Sequence, residues 1–333
     1  MKKALTLVLS VVLTFMVAGA ASAQSKETMK IASNTAPDHH YNIGAKKFAD
    51  LMTERTKGRI DFKIYPAGQL GKGEREVTEG LQQGSIDLQV TSTGPLGGFS
   101  QSILILDFPY LFRDYDHVDL VLDGPIGQKL LNDFEKVNIK ALAFWENGFR
   151  HLTNSKHAVK AVDDAKGFKI RTMENKVHLA AWRSAGVNPT PMAFGEVFTA
   201  LQQKVIDGQE NPFSVILTSK LNEVQKYLAI TNHMYNPQSL LMSKKVWDRL
   251  TKDEQKILVD SAREATATQR KYARDVAEQA IGELKKTMEI TTLPPAEIAK
   301  IQAKLKPVID KYSANVGPDL VKELQAALAK APQ

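Results

Sequence analysis

The sequence predicts an α/β fold divided into two lobes, and three observations lead to this prediction. Short apolar, β-branched runs alternate with amphipathic helical patterns, which is typical of largely parallel sheets whose strands are connected by helices. Removal of an N-terminal targeting signal leaves 310 of the 333 residues, more than one hydrophobic core usually serves. Because no Gly/Ser-rich linker separates two halves, we expect the chain to cross between the lobes more than once.

The first 23 residues have the pattern of a secretory signal peptide. Lys2 and Lys3 supply positive charge, Ala4–Gly19 is almost wholly apolar, and Ala21–Ala23 is a small-residue cleavage site before Gln24. A membrane anchor is the alternative, but the apolar run is short for a span of ~20 residues. Small residues, rather than a basic stop-transfer run, follow it. The chain has no Cys, so the route to a lipid anchor is missing as well.

The remaining elements follow from periodicity and from glycine at helix ends. Five apolar runs predict strands and two more do so weakly: Met29–Ser33, Asp61–Tyr65, Ile86–Thr91, Ile139–Trp145 and Phe168–Met173, then Val205–Gly208 and Ala229–Met234. Amphipathic patterns predict helices at Ile43–Thr56, Glu74–Gln83 and Val177–Ser184. A glycine follows each helix within a few residues, as expected of a residue that readily adopts the left-handed conformation.

A much longer helix is predicted from Thr251 to about Met288. Thr251 and Glu254 have capping-box spacing, and Gly282 is the only glycine before the predicted end. Such a helix would be roughly 50 Å long, more than one small lobe needs. It either braces both lobes or forms a coiled coil, and the absence of strict heptads favours the brace.

Charge and motifs exclude several functions. Without the signal, 42 basic residues face 37 acidic ones, with no basic stripe of the kind that binds nucleic acid. There is no G-x-S-x-G elbow, no Cys nucleophile and no H-E-x-x-H motif. His39 and His40 are adjacent rather than one helical turn apart, and Gly71–Glu74 is too short for a phosphate-binding loop. We therefore predict no catalytic residue, no metal and no cofactor.

Arg171 is the residue best suited to binding an acid. It ends the strand pattern of Gly167–Arg171, in which Phe168 and Ile170 face one side and Lys169 and Arg171 the other. Ligands bind at strand ends in open α/β sheets, and a guanidinium binds a carboxylate through two parallel hydrogen bonds. A structural salt bridge remains the alternative at this point.

Two further segments are candidates with plainer alternatives. Arg150 follows the predicted strand after an aromatic-rich segment and could line a pocket, although packing with a solvated charge is the simpler interpretation. Asp207–Pro212 carries four polar side chains in six residues, which usually indicates a turn. It becomes functional only if Asn211 points to the same cleft as Arg171.

These segments resemble the solute-binding subunits of tripartite ATP-independent periplasmic (TRAP) transporters of the DctP type. The resemblance runs from about Met29 to beyond Arg263, and its order and spacing are specific. It rests on Tyr65–Gly71, Phe108–Arg113, Gly167–Arg171, Pro189–Phe194, Ala200–Gln203 and Asp207–Pro212.

The resemblance implies a hinged cleft between two lobes, with the long helix spanning both. We place lobe I at 24–147 plus about 236–275, and lobe II at 148–235 plus about 276–330. Arg171 corresponds to the family's carboxylate clamp. The other implied ligand-binding residues, in decreasing order of the match, are Arg150, Asn211, Phe194, Ser92, Asn34, Glu74, Glu146 and Gln238.

The resemblance also implies a monomeric periplasmic protein that captures a small organic acid and delivers it to the small and large membrane permease subunits. The segment Trp145–Arg150 is similar to members that bind sugar acids, dicarboxylates or other monoacids, so the ligand stays open. A periplasmic enzyme acting on small acids, or the ligand-presenting subunit of a sensor, are the alternatives.

Overall fold

A computed structural model describes residues 25–330, and the predicted signal peptide at 1–23 lies outside them. Its strands are β1 Glu27–Ser33, β2 Ile60–Tyr65, β3 Leu88–Ser92, β4 Ile139–Asn154, β5 Lys169–Thr172, β6 Asn188–Pro191, β7 Gly208–Asn211, β8 Tyr227–Ser243 and β9 Glu289–Thr292. Its helices are α1 His40–Arg55, α2 Glu74–Gln83, α3 Tyr115–Leu122, α4 Pro125–Asp133, α5 Lys176–Ser184, α6 Val197–Gln202, α7 Phe213–Thr218, α8 Lys244–Trp247, α9 Lys252–Leu284, α10 Pro295–Val316 and α11 Pro318–Leu328. Short 3₁₀-helices complete the described elements at Gly94–Gly98, Ser102–Asp107, Phe134–Val137, Val162–Ala165, Phe194–Glu196 and Leu221–Glu223.

All the strands in residues 25–330 belong to one mixed sheet of order β2-β1-β3-β8-β4-β7-β5-β6, with β9 beside β8. The prediction of largely parallel strands is correct towards the edges, where β1 pairs with β2 and β3, and β5 with β6 and β7. It is wrong at the centre, where β8 and β4 are antiparallel to each other and to their outer neighbours. These two strands have 17 and 16 residues and connect the lobes within a single sheet.

Two local predictions are corrected by this central region. The strand predicted to end at Trp145 continues to Asn154, so Arg150 lies inside β4 rather than after it. The segment predicted as a turn at 207–212 contains β7, which pairs with β4 and β5. The polar side chains of both segments are buried against one another. A search for apolar patterns therefore does not identify either strand.

The path of β4 is broken by a bulge near the predicted boundary between the lobes. The pairing with β8 shifts between Glu146 and Gly148, and Gly148 has φ 129°, a conformation that favours glycine. The division of the lobes at 147/148 stays a prediction, and the bulge falls at the same point of the chain.

The long helix α9 braces both lobes, as the sequence predicts, although it ends at Leu284 instead of Met288. Its 33 residues begin with the predicted capping box, in which Glu254 donates its backbone N–H to Thr251 Oγ1 at 3.3 Å. The helix packs against α1 in one lobe and α7 in the other. Within residues 25–330, no helix is long and apolar enough to cross a membrane.

Within residues 25–330, the buried apolar residues form four clusters, and the largest contains residues from both predicted lobes, such as Leu104, Val177 and Tyr312. One core packs α1 and α9 against the first strands and includes Phe48, Trp145 and Leu258. Another lies under β5 and α5 and includes Ile170 and Val187. The last helices return over the molecule, where α10 packs against α5 and α11 against α3.

Candidate functional site

A polar cavity lies between the lobes, next to the central strands. The gaps among its lining atoms amount to about 400 Å³, a volume that includes space open to solvent. Residues from both sides line it: Asn34, Thr35, Tyr41, Glu74, Val90, Thr91, Ser92, Asn147, Arg150, Arg171, Met173, Phe194, Asn211 and Val215. Seven of the nine residues predicted from the sequence are in this lining.

Arg171 is a buried guanidinium without an acid partner among residues 25–330. It lies on β5 and is 1% exposed. Its Nε and Nη2 both donate to the Met192 carbonyl oxygen, at 3.0 and 2.7 Å, and its guanidinium carbon is 5.8 Å from the centre of the Phe194 ring. No carboxylate of the described residues is within ion-pairing distance of it. Burial lowers the pKa of Arg171 from its ordinary value, and the negative charge of Glu74 opposes that change.

Arg150, on β4, is buried too but is neutralised by Glu210 on β7. Its Nε is 2.5 Å from Glu210 Oε2 and its Nη2 is 2.9 Å from Oε1. His233 Nε2 lies 3.1 Å from the same Oε2. Burial alone would raise the pKa of Glu210, but the charge of Arg150 and the hydrogen bonds from both partners outweigh it and keep that pKa below its ordinary value. Arg150 Nη1 has no hydrogen-bond partner within residues 25–330.

The opposite wall of the cavity comes from α2 and from the residues that follow β1. Glu74 is the first residue of α2, and its Oε2 accepts a long hydrogen bond of 3.5 Å from the Phe194 backbone N–H. Asn34 is fixed by donating its amide hydrogens to the carbonyls of Gly71 and Lys72, at 3.0 and 3.3 Å. Because Glu74 and Phe194 come from opposite sides, their contact joins the two lobes across the cavity.

Asn211 and Ser92 complete the predicted set. Asn211 ends β7 and donates to Gln209 Oε1 at 2.5 Å. Ser92 ends β3, and its hydroxyl is 3.2 Å from Met173 Sδ on the other side of the cavity. Asn211 lines the same cavity as Arg171, as a role in ligand binding requires.

The structure does not bring Glu146 and Gln238 to the cavity. Glu146 turns towards α9, where Arg274 Nε donates to its Oε2 at 3.0 Å, and burial raises the pKa of this carboxyl. Gln238 is buried in β8, opposite Ser92 on one side and Trp145 on the other. The resemblance implied both residues as ligand contacts, whereas the pairing of β4 shifts between Glu146 and Gly148 and the Glu146 side chain contacts α9.

Sequence reasoning missed several residues of the site. Tyr41 and Asn147 line the cavity, and Glu210 and His233 hold Arg150 in place. Glu210 could have been predicted, because an interpretation of 207–212 as a strand places a buried acid opposite β4. His233 had no signal, since nothing in its local sequence indicates a contact with β7.

Taken together, the fold and the cavity define a class of protein. Two lobes share one sheet, a long helix braces them, and an interlobe cavity presents a buried cation and fixed polar groups. No group of three or more His, Cys, Asp or Glu suited to a metal occurs in the described part of the chain. This is the architecture of a solute-binding protein.

Comparison with known proteins identifies the family. Residues 31–315 match DctP, the bacterial extracellular solute-binding protein family 7, and the chain belongs to this family of TRAP transporter solute-binding proteins. A solute-binding protein of Verminephrobacter eiseniae is 41% identical over 307 residues, which cover 92% of this chain and 91% of the relative. The predicted fold class and family are therefore confirmed, and the proteins of the family are binding proteins of transporters.

Two solved structures show the same fold. A TRAP periplasmic solute-binding protein from Polaromonas sp. JS666, bound to D-erythronate, is 43% identical with a TM-score of 0.88, covering 92% of this chain and all (100%) of that one. The sugar acid binding protein DctPAm from Advenella mimigardefordensis, in complex with galactonate, is 35% identical with a TM-score of 0.90, covering 92% and 99%.

Proposed function

We propose that this protein is the periplasmic solute-binding subunit of a TRAP transporter. It captures a small solute that carries a carboxylate, a sugar acid or a C4-dicarboxylate-like acid, between its lobes. Arg171 clamps the carboxylate, the lobes close over it, and the closed form delivers the solute to the membrane permease. The observation that carries this proposal is the burial of Arg171 without an acid partner among the described residues.

A buried, unpaired cation needs a compensating anion. Taking a guanidinium out of water costs several kcal/mol, and one carbonyl oxygen offsets only part of that. The Met192 carbonyl occupies the Nε–Nη2 edge of Arg171. The remaining end-on edge, Nη1 and the second hydrogen of Nη2, can bind a carboxylate through two parallel hydrogen bonds. A carboxylate ligand would therefore restore both the charge balance and the hydrogen bonds.

Closure explains how such a pair becomes selective. An ion pair exposed to water contributes only ~0–1 kcal/mol, whereas both cleft arginines are at most 1% exposed. The contact from the Phe194 N–H to Glu74 joins the two sides of the cavity, and separation of the lobes would break it. A ligand that binds the closed form more tightly shifts the population towards it, and the permease would recognise that form.

The relatives support a carboxylate ligand. Both solved structures described above hold acids, D-erythronate and galactonate, in the same fold. The periplasmic location and the permease partners come from the family and from the signal pattern of the first 23 residues.

The test begins with a thermal-shift panel of aldonates, dicarboxylates and simple monoacids. A ligand at 100 times its Kd stabilises the folded protein by ~2.7 kcal/mol, which raises Tm measurably. The Kd of the best ligand is then measured by calorimetry for the wild type, Arg171→Lys and Arg171→Ala. Arg183→Lys, an exposed change on α5, is the matched control.

We expect both Arg171 variants to lose at least about 100-fold in affinity, since each removes a buried two-bond contact to a charge. The control should bind as the wild type does. Binding of the acid at wild-type affinity by both Arg171 variants would show that the clamp is elsewhere.

A further inference from the structure

Resting on the proposed function, we infer that the solute is a polyhydroxylated monocarboxylate and that Glu74 selects it against dicarboxylates. The carboxylate binds at the Arg171 side of the cavity. Hydroxyl groups on the rest of the solute donate to Glu74 and to two asparagine side chains, Asn34 and Asn147, on the same cavity lining.

The charges of the cavity favour one carboxylate over two. Arg150 is neutralised by Glu210, so it adds no net charge. The remaining charged pair in the lining is Arg171 and Glu74, which the lobes bring together without a direct ion pair among the described residues. A first carboxylate binds at Arg171, and a second would lie against Glu74, because the other cation of the described lining, Arg150, is already paired with Glu210. Like charges in one buried site repel strongly.

The buried side-chain atoms of the lining that lack a partner in the described chain are two acceptors and one donor, Arg150 Nη1. Asn34 Oδ1 and Asn147 Oδ1 are buried and have no partner in the described chain. The orientation of each amide is fixed. Asn34 uses its Nδ2 to donate to two backbone carbonyls. Asn147 uses its Nδ2 to donate to Asn236 Oδ1 at 2.8 Å, so its oxygen is the atom left over.

Asn236 cannot be reversed, because its own Nδ2 is directed at oxygen atoms. It donates to Thr93 Oγ1 at 3.2 Å and lies 3.4 Å from Asp107 Oδ1. Rotation of the amide would set its oxygen against the Asp107 carboxylate. These contacts fix Asn147 Oδ1 as an unpaired acceptor in a residue of the cavity lining.

Hydroxyl groups match this set, and a second carboxylate does not. A buried acceptor without a donor is costly, and each hydroxyl of a sugar acid brings one O–H donor. Glu74, Asn34 and Asn147 together can accept at least three such donors. Succinate has only acceptors beyond its first carboxylate, so it would leave all three unsatisfied. A plain monoacid such as butanoate avoids the repulsion but supplies no donor.

The alternative role of Glu74 is structural, since an acid in the first turn stabilises a helix N-terminus. Glu76 occupies the same turn of α2 and is exposed, so the helix already has such a charge. Glu74 itself is buried at 8% exposure. Stability alone cannot separate the two roles, whereas selectivity between acids can, because a helix-stabilising charge would affect all ligands alike.

The experiment measures Kd for four-carbon to six-carbon aldonates, including D-erythronate and D-galactonate, and for succinate and butanoate. The variants are wild type, Glu74→Gln and Glu79→Gln. Glu79 is on the same helix, carries the same charge and pairs at the surface with Arg75. The mature full-length protein is used throughout.

We expect the wild type to bind its best aldonate at least about 100-fold more tightly than succinate or butanoate. Glu74→Gln should reduce the aldonate-to-succinate ratio at least tenfold, largely through tighter binding of succinate, and Glu79→Gln should leave it unchanged. The inference is overturned, with the proposed function intact, if wild-type protein binds succinate as tightly as any aldonate. An unchanged ratio in Glu74→Gln would equally remove Glu74 as the determinant.

The wild-type ratio decides the ligand class even if Glu74→Gln does not fold. A wild type that binds none of these acids overturns both this inference and the proposed function. That outcome is distinct from a reversed preference, in which only the selectivity for hydroxyl groups fails.

Discussion

The two buried arginines of the cleft have opposite environments. Arg150 lies inside β4 and donates to both carboxylate oxygens and the backbone oxygen of Glu210, with His233 supporting the same carboxylate. Arg171 lies on β5 and meets one backbone carbonyl and one aromatic ring. Both are at most 1% exposed, so solvent does not explain the difference.

The comparison separates a charge that serves the fold from one that serves a ligand. A neutralised guanidinium can stay buried permanently, and the strands around it depend on the pair. An unpaired guanidinium gains its counter-charge only when a ligand is present, so its burial stabilises the complex rather than the free protein. The following predictions test this separation, beginning with the largest expected effect.

Arg150→Met should strongly destabilise the protein. The change leaves the Glu210 carboxylate buried without its main partner, which costs about 3–5 kcal/mol in comparable buried pairs. Chemical denaturation measures the free energy of unfolding. The double variant Arg150→Met with Glu210→Gln should recover part of the loss, because the buried charge is gone. If the single variant loses less than about 1 kcal/mol, the pair does not support the fold.

Arg171→Met should barely change stability while abolishing binding. It removes the desolvation cost of an unpaired cation but also the donors to the Met192 carbonyl, and these effects have opposite signs. We expect the free energy of unfolding of the ligand-free protein to change by no more than about 1 kcal/mol. A loss as large as that in Arg150→Met would show that Arg171 is structural too.

The sequence predicts Arg171 better than it predicts the environment of Arg150. Residues 167–171 alternate cleanly, so the face and the strand end could be inferred. The alternation around Arg150 is broken by the bulge at Gly148, and its partner Glu210 lies in a run that resembles a turn. Neither the bulge nor the pairing of β4 with β7 can be inferred from the sequence near Arg150 alone.

The same distinction applies to the whole fold. Residues 74–83 and the start of α9 have clear caps, and the structure confirms the predicted helices there. The sequence underestimates the lengths of the central antiparallel strands β4 and β8, because their polar halves are buried only through contacts with distant segments. Hydrophobic periodicity identifies segments that bury an apolar face. It gives little information about segments whose buried side chains are polar and hydrogen-bonded to one another.

His233 makes the stability contributed by the Arg150 site depend on pH. Among the described residues, the Arg171 site has no such histidine. Burial lowers the pKa of His233, with the bond and charge of Glu210 opposing it, so the folded state favours the neutral ring. The unfolded chain then takes up a proton first as pH falls below about 6.5, and stability decreases. One such group changes the free energy of unfolding by at most about 1.4 kcal/mol per pH unit.

We therefore expect His233→Gln to reduce the decline in unfolding free energy between pH 7.5 and 5.5 without abolishing it, because burial also lowers the pKa values of His39, His40 and His151. Unfolding at a series of pH values measures the slope. His157→Gln, a change at an exposed histidine, should leave the wild-type slope unaltered. An identical slope in His233→Gln and the wild type would mean that His233 is protonated equally in both states.

Phe194→Leu should have the smallest effect and should act only on the Arg171 side. The ring faces the guanidinium at 5.8 Å, a contact that contributes about 0.5–2 kcal/mol when desolvated. Leucine keeps an apolar wall but removes the negative face of the ring. We expect a 2- to 30-fold loss of affinity for the acid, measured by calorimetry, and an unchanged pH slope of stability. Phe213→Leu is the matched control, because that ring stacks on His151 at 3.8 Å instead. A comparable loss of affinity in both variants would show that the aromatic effect is general packing, and the contrast between the two arginines would then rest on Glu210 alone.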